Sequence, residues 1–318
     1  MKRIIALILT VLLVAVCFTA CGSKDETDQK INIGVMSGPT GMGMAKLIAD
    51  NGMDSDKYSF KVFSAPTEAT AELANGSLDM LCLPTNLAAN LANKQSDYIS
   101  VAAINCLGSL YVLCKTDVSI QSIEDLEGKT IYYGEPTSTT GPILQYVLEK
   151  NKINANVVAE SGMDIVQAKM VSGEADIVVL PEPKASAAKI AASKEGNNYN
   201  VCLNLSTEWS NVSDSPLTMG CIVVRNEFLK DNKLAVDNFL SEYKSSVEYI
   251  ADKNNTETSA QIIVDAGVLP ALPIAKSALS NLYGSIVYID GKDMKANLKG
   301  FYSAINIKQP DDIFYYEK

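Results

Sequence analysis

The sequence predicts an α/β protein of two similar lobes, each a mixed sheet flanked by helices. Three observations carry this expectation. Short apolar runs alternate with helical patterns, the pattern recurs at an offset of 97 residues, and proline-containing turns fall at matching strand-to-helix junctions. The expected strands of the first series are Ile31–Met36, Phe60–Ser64, Leu78–Leu83, Ile99–Ile104 and Leu110–Lys115. Those of the second are Lys129–Tyr133, Val157–Glu160, Ala175–Leu180 and Asn200–Leu205. Helices are expected at Thr40–Asn51, Thr67–Ala74, Pro142–Lys150 and Met163–Val171, where apolar residues return every three or four positions.

The offset lays ANGSLDMLCLPTNLAA over VSGEADIVVLPEPKAS, matching Gly76 with Gly173, Asp79 with Asp176, Leu83-Pro84 with Leu180-Pro181 and Ala88 with Ala185. Without a gap it also sets Pro39-Thr40 on Pro136-Thr137, and Leu47, Ser64 and Ala71 on identical residues. These are ten identities between Ile31 and Asn90, where composition alone gives roughly four. Two lobes of one βαβαβ plan follow, and in such sheets ligands sit beyond the carboxyl ends of the strands.

SGPTGMG after the first strand is therefore read as one jaw of a two-jawed site, and GEPTSTTGP, Gly134 to Pro142, as the other. Proline is pre-set for a first helical turn, and threonine offers a hydroxyl beside the unpaired amides there. A nucleotide loop is excluded, because Gly43 is followed by Met44-Ala45 rather than Lys-Ser/Thr, and Lys46 stands where the dinucleotide pattern needs glycine. The candidate ligand contacts are Ser37, Gly38, Pro39, Thr40, Gly41 and Met42 in the first jaw and Glu135, Thr137, Ser138 and Thr139 in the second. Thr85 and Asn86 follow the first Leu-Pro step, Glu182 follows the second, and Asn105 and Thr218 lie near the ends of neighbouring strands. Trp209, the only tryptophan, either stacks on a ligand at the cleft edge or packs a loop.

The amino terminus reads as an export signal. Lys2-Arg3 precede the apolar run Ile4–Val16, too short to span a bilayer, and FTAC resembles a bacterial lipobox ending at Cys21. Cleavage before Cys21 and lipidation of its sulfur are expected, with a polar tether up to residue 30. Acyl chains contribute about 0.8 kcal/mol per buried methylene, enough for two to hold a protein on a membrane.

The 298 residues from Cys21 onward carry a net charge of −12 once Lys2 and Arg3 are removed, which argues against nucleic acid. Histidine is absent, excluding Ser-His and Cys-His catalysis and histidine-ligated metals. Cys82, Cys106, Cys114, Cys202 and Cys221 are odd in number and without paired spacing, so they read as small buried hydrophobes. No cofactor or metal is expected.

A lipobox, two βαβ lobes, SIEDLEGKTIYYGEPTSTT (Ser122–Thr140) and KMVSGEADIVVLPEP (Lys169–Pro183) together resemble the extracytoplasmic substrate-binding proteins of ABC importers. The resemblance covers nearly the whole chain after Cys21 and is nearest the branch that includes binders of taurine, aliphatic sulfonates, nitrate and thiamine precursors. It implies the type II periplasmic binding fold, a small-molecule solute, an ABC permease as partner, a monomer, and anchorage to the extracytoplasmic face of the cell membrane. It further implies a discontinuous first lobe, 31–115 plus 221–318, with the second at 116–220. The crossings are then expected near Lys115–Val118 and Leu217–Val223, with the helix Lys233–Lys253 packing back on lobe 1 and a helical remainder.

The ligand class stays open between a sulfonate-like anion and a nitrogen heterocycle. Helix starts and hydroxyls suit an anion, whereas Glu135 and Glu182 either repel one and favour a donor-bearing group or merely cap their helices. Arg225, beyond the returning strand, is expected on the surface. Two other functions compete: a ligand-sensing surface lipoprotein, and an enzyme on the same fold. Of the fold's enzymes, a pyrimidine synthase depends on histidine, and a futalosine-pathway dehydratase is cytosolic and needs no lipobox.

Overall fold

A computed structural model describes residues 29–136 and 138–317. The signal-peptide and lipobox readings, Cys21 and Thr137 lie outside the described residues.

The chain opens with β1 (Ile31–Met36), a run buried on both faces, as a parallel strand covered by helices requires. The single helix expected after it is broken into α1 (Pro39–Met42) and α2 (Ala45–Asn51) at Gly43-Met44. β2 (Tyr58–Phe63), α3 (Pro66–Ala74), β3 (Met80–Pro84), α4 (Thr85–Lys94) and β4 (Ile99–Leu107) complete the first series. After β5 (Leu110–Lys115) come β6 (Thr130–Gly134), α5 (Thr140–Lys150), β7 (Asn156–Glu160) and α6 (Met163–Ser172). Gly173 ends α6 in the left-handed conformation, φ +76°, that a helix stop of this kind favours. Then follow β8 (Ile177–Pro181), α7 (Lys184–Lys194), β9 (Tyr199–Asn204), α8 (Leu205–Ser210) and β10 (Thr218–Arg225).

The remainder holds α9 (Asn226–Asp231), α10 (Lys233–Ala251), α11 (Thr256–Asp265), α12 (Leu272–Asn281) and α13 (Gly291–Ala304). It also holds β11 (Ile286–Ile289), an edge strand where only helix was expected. The buried stripe of α10 runs through Val236, Phe239, Leu240, Tyr243, Val247 and Ile250, whereas Leu234 in its first turn is 43% exposed.

The sheets have the orders β11-β4-β10-β3-β1-β2 and β7-β6-β8-β5-β9. In both, the outer repeats pair in parallel (β1 with β2 and β3, β6 with β7 and β8), and the inserted strand pairs antiparallel on both sides. The 97-residue offset lays β3 on β8 end to end and β4 over β9. β5, assigned to lobe 1 from the sequence, instead pairs with β8 and β9 in the second sheet. The first crossing is therefore at Gly108-Ser109, short of the expected Lys115–Val118, because β5 finds its ladder partners across the seam. The chain returns between Asn204 and Thr218. The strand that follows each repeat is thus inserted into the sheet of the other.

Three apolar clusters hold this together. One covers the outer face of lobe 1 (Ile33, Val35, Phe239, Tyr243, Ala278), one the outer face of lobe 2 (Leu113, Val178, Ala188), and the third runs across both lobes (Leu83, Val112, Val179, Trp209, Phe301). Among the described residues no helix is long and apolar enough to cross a membrane.

Candidate functional site at the seam between the lobes

On the lobe 1 side, β1 delivers the chain to Ser37 and Gly38. The Ser37 amide donates to Phe63 O (2.8 Å), Ser37 Oγ donates to Val268 O (2.8 Å), and the Gly38 amide donates to Val268 O (3.3 Å). These amides, expected to be unpaired, are thus held by backbone carbonyls of lobe 1. Gly38 has φ +102°, and a Cβ there would lie 3.6 Å from Pro183 Cδ, so this turn meets lobe 2 at the end of β8. At Gly41 a Cβ would fall 2.1 Å from Met36 O, which makes glycine obligatory where α1 folds back over β1. Pro39 starts α1, and Met42 is fully buried in the outer core of lobe 1 rather than lining the seam.

Behind α1 the structure brings four candidates from four elements together. Asn105 Nδ2, on β4, donates to Thr40 O (3.0 Å). Thr85 Oγ1, at the start of α4, donates to the carbonyl of Thr218 on β10 (2.7 Å), and Tyr302 OH donates to Thr85 O (2.9 Å). Gly220 allows this convergence, because a Cβ there would stand 2.4 Å from Thr40 Cγ2 and 2.6 Å from Asn105 Oδ1. Asn105 and Thr218 are 1% and 0% exposed, yet Asn105 Oδ1 and Thr218 Oγ1 have no hydrogen-bond partner. Ser206 Oγ, on α8, shares that state and presses on the crossing at Gly108. Ser206 was not a candidate, since a serine in NLSTEWS carries no sequence signal of burial. Deeper in, Cys82 Sγ lies 3.9 Å from Tyr243 OH, and burial, partly offset by hydrogen bonds from Tyr243 and Asn105, pushes this thiol up to about 12. Asn86 is half-buried on the first turn of α4.

On the lobe 2 side, Glu135 follows β6, exposed and in the left-handed region, φ +61°. Its carbonyl accepts from the Ser138 amide (2.8 Å), and Ser138 Oγ accepts from the Thr140 amide (3.3 Å) at the start of α5. Ser138 and Thr139 are half-buried, and the first turn of α5 carries no acid. β6 neighbours β8, so this loop lies one strand from the Pro183 turn that Gly38 meets.

Glu182 and Trp209 have other duties. Glu182 is 1% exposed, and its carboxylate accepts from the Ser186 amide (3.3 Å), Ser186 Oγ (3.0 Å) and Asn281 Nδ2. Asn281 ends α12 in lobe 1, and its carbonyl takes the Tyr111 hydroxyl of lobe 2. Ser186 Oγ also lies 2.8 Å from Ser277 Oγ on α12. Glu182 is therefore both the helix cap of α7 and the centre of a clasp between lobes. Trp209 is fully buried, not at a cleft edge: its indole N–H donates to Ser215 O (2.6 Å), and its ring packs on Tyr146 and on Phe301 of α13 (centroids 4.6 and 5.7 Å). Arg225, expected on the surface, is tied to Asp79 (3.2 Å), Leu78 O (2.9 Å) and Glu227 (2.8 Å) at the far end of β10. Among the described residues no three histidine, cysteine, aspartate or glutamate side chains gather as for a metal.

Comparison with solved structures finds the same architecture. An ABC transporter protein from Parabacteroides distasonis matches with TM-score 0.73 and 19% identity over 92% of this chain and all of its own. The periplasmic aliphatic sulphonate-binding protein of Escherichia coli matches with TM-score 0.68 and 16% identity over 91% and 92% of the two chains. The periplasmic nitrate-binding protein of Synechocystis matches with TM-score 0.53 and 12% identity, covering 74% and 65%. These likenesses establish the two-lobed fold of periplasmic binding proteins. No curated protein matches the sequence. A family described as menaquinone biosynthesis matches residues 46–302, from α2 to α13 and so across both lobes and the seam. The chain belongs to that family.

Proposed function

We propose that this chain captures a small organic solute at the seam and delivers it to an ABC-type permease, held on the extracytoplasmic face of the membrane by a lipid on Cys21. The observation that carries the reading is the convergence of Thr40, Thr85, Asn105 and Thr218 at the end of the lobe 1 sheet that meets lobe 2. Unpartnered polar atoms are held ready there, and both crossings run beside them. Two crossing segments make a hinge, so a solute bound between the lobes favours the closed population. The import components among the structures of this fold are consistent with the same use.

Mass spectrometry of the compound that co-purifies, followed by a thermal-shift screen, tests the reading. A true ligand at a hundred times its dissociation constant adds about 2.7 kcal/mol of stability. The anchor is tested separately: Cys21→Ala releases the protein from membranes or leaves it unprocessed, and unchanged attachment refutes lipidation.

A second reading takes its cue from the family description, menaquinone biosynthesis: an enzyme on the same fold that performs a biosynthetic step on its ligand. Against it, the chain has no histidine, and the carboxylate buried at the seam, Glu182, is saturated by three donors. Turnover of the co-purified compound by the protein alone would decide for the enzyme.

A further inference from the structure

We infer that the solute engages lobe 1 through a neutral group bearing hydrogen-bond donors, an amino, amide or ring N–H, and not through an oxyanion. The inference rests on the binding-protein reading above and names the chemistry of its ligand.

Six buried side-chain oxygens lack a partner among the described residues, and three of them, Asn105 Oδ1, Ser206 Oγ and Thr218 Oγ1, lie on β4, α8 and β10, in or within a few residues of the two crossings. A buried polar atom left unpaired costs about 1–3 kcal/mol, so such a concentration points to a group that completes it. What those atoms offer defines that group. Thr40 O takes the Asn105 amide nitrogen, which fixes the orientation of the carboxamide and leaves its oxygen, an acceptor only, unfilled. Flipping the carboxamide would set oxygen against oxygen at Thr40. Thr218 and Ser206 each add a hydroxyl that accepts as readily as it donates. The one atom of the set that can only accept calls for a donor on the ligand.

The charges nearby point the same way. Arg225 begins its ion pairs at the opposite end of β10 from Thr218, about 23 Å away for seven steps of a strand. Lys184, beside the seam on α7, is paired with Asp164. Glu182, the residue before the Pro183 that Gly38 meets, holds a buried carboxylate there, which raises the energy of a second anion placed beside it. The sulphonate and nitrate bound by proteins of similar fold therefore do not transfer to this chain.

The test is calorimetry on the full chain with cytosine, 2-aminopyrimidine and nicotinamide as neutral donor-bearing probes and ethanesulfonate and nitrate as oxyanions. At least one neutral probe binds and neither oxyanion does. Thr218→Val, which keeps the shape and removes the hydroxyl, weakens that probe about tenfold, the equivalent of one lost hydrogen bond. It leaves the melting temperature of the ligand-free protein unchanged or higher, because an unpaired hydroxyl has been removed. Ser206→Ala serves as the second variant should Thr218→Val fail to fold. Binding of an oxyanion, binding by none of the neutral probes, or full affinity in a variant whose ligand-free form melts lower would each overturn the inference; in the last case ordered water fills the role. Binding of an oxyanion would leave the receptor reading intact, whereas turnover of a bound neutral probe would defeat that reading and leave this inference standing.

Discussion

Replacing Asn281 by alanine isolates the clasp between the lobes. The substitution removes the Nδ2 donor to Glu182 and leaves the backbone carbonyl that Tyr111 uses, so one contact across the seam is lost and its neighbour is kept. Hydrogen bonds to a carboxylate are worth about 1.5–3 kcal/mol. Glu182 retains both Ser186 donors within lobe 2, and opening restores water to the vacated position. A closed state weakened by about 2 kcal/mol has its ratio to the open state lowered about thirtyfold. Small-angle scattering should therefore show a larger radius of gyration in Asn281→Ala than in the parent. Solute affinity falls by up to the same factor, as the competent population shrinks. Unchanged scattering with unchanged affinity would refute the clasp. A lower melting temperature with unchanged scattering would instead make Asn281 merely the end of a lobe 1 helix.

Three further outcomes are expected. Gly220→Ala places a Cβ 2.4 Å from Thr40 Cγ2 and 2.6 Å from Asn105 Oδ1, so it costs about 1–3 kcal/mol; it also abolishes solute binding, and calorimetry showing parental affinity would contradict the placement of the site. Asp79→Ala strips Arg225 and Asn32 of a carboxylate whose side chain is 7% exposed, costing about 3 kcal/mol; the measure is a lower urea midpoint at constant slope, and a loss under 1 kcal/mol would contradict it. Iodoacetamide at pH 8 labels Cys202 before the other four described cysteines, which are buried. Burial pushes Cys82 and Cys106 up to about 12, and a raised pKa leaves less thiolate, about one part in ten thousand at pH 8, so peptide mapping that finds either labelled early would refute their burial.

The architecture was legible because its signals are local and repeated. Leu83-Pro84 and Leu180-Pro181 end β3 and β8 at equivalent points, and Gly76 and Gly173, matched by the offset, both adopt positive φ. Sheet membership was less legible: LYVLCK is equally apolar in either sheet, and only its ladder partners place β5 in the second. Four of the sixteen candidates, Thr40, Thr85, Asn105 and Thr218, converge because the first three lie at or just past the carboxyl ends of β1, β3 and β4, and the antiparallel β10 begins at Thr218 at that same end of the sheet. For Glu182 and Trp209 two readings each stood open, and the structure supports the helix cap for one and packing for the other. A carboxylate at a helix start and a lone tryptophan both resemble ligand contacts until their partners, Asn281 and Phe301, arrive from 99 and 92 residues downstream. Arg225 was misread because nothing near it in sequence announces Asp79.

The exchange of strands also sets an order of assembly as the chain emerges during synthesis. All five strands of the second sheet lie between Leu110 and Asn204, so that lobe can close on a nascent chain as soon as those residues are free. The first sheet must wait, its β3 and β4 lacking the strand that belongs between them until Thr218–Arg225 appears. For that interval the amino-terminal half presents two open edges of apolar strand, the surface most prone to pairing with a stranger. A chain interrupted before residue 218 would thus carry one finished lobe and one adhesive half-sheet.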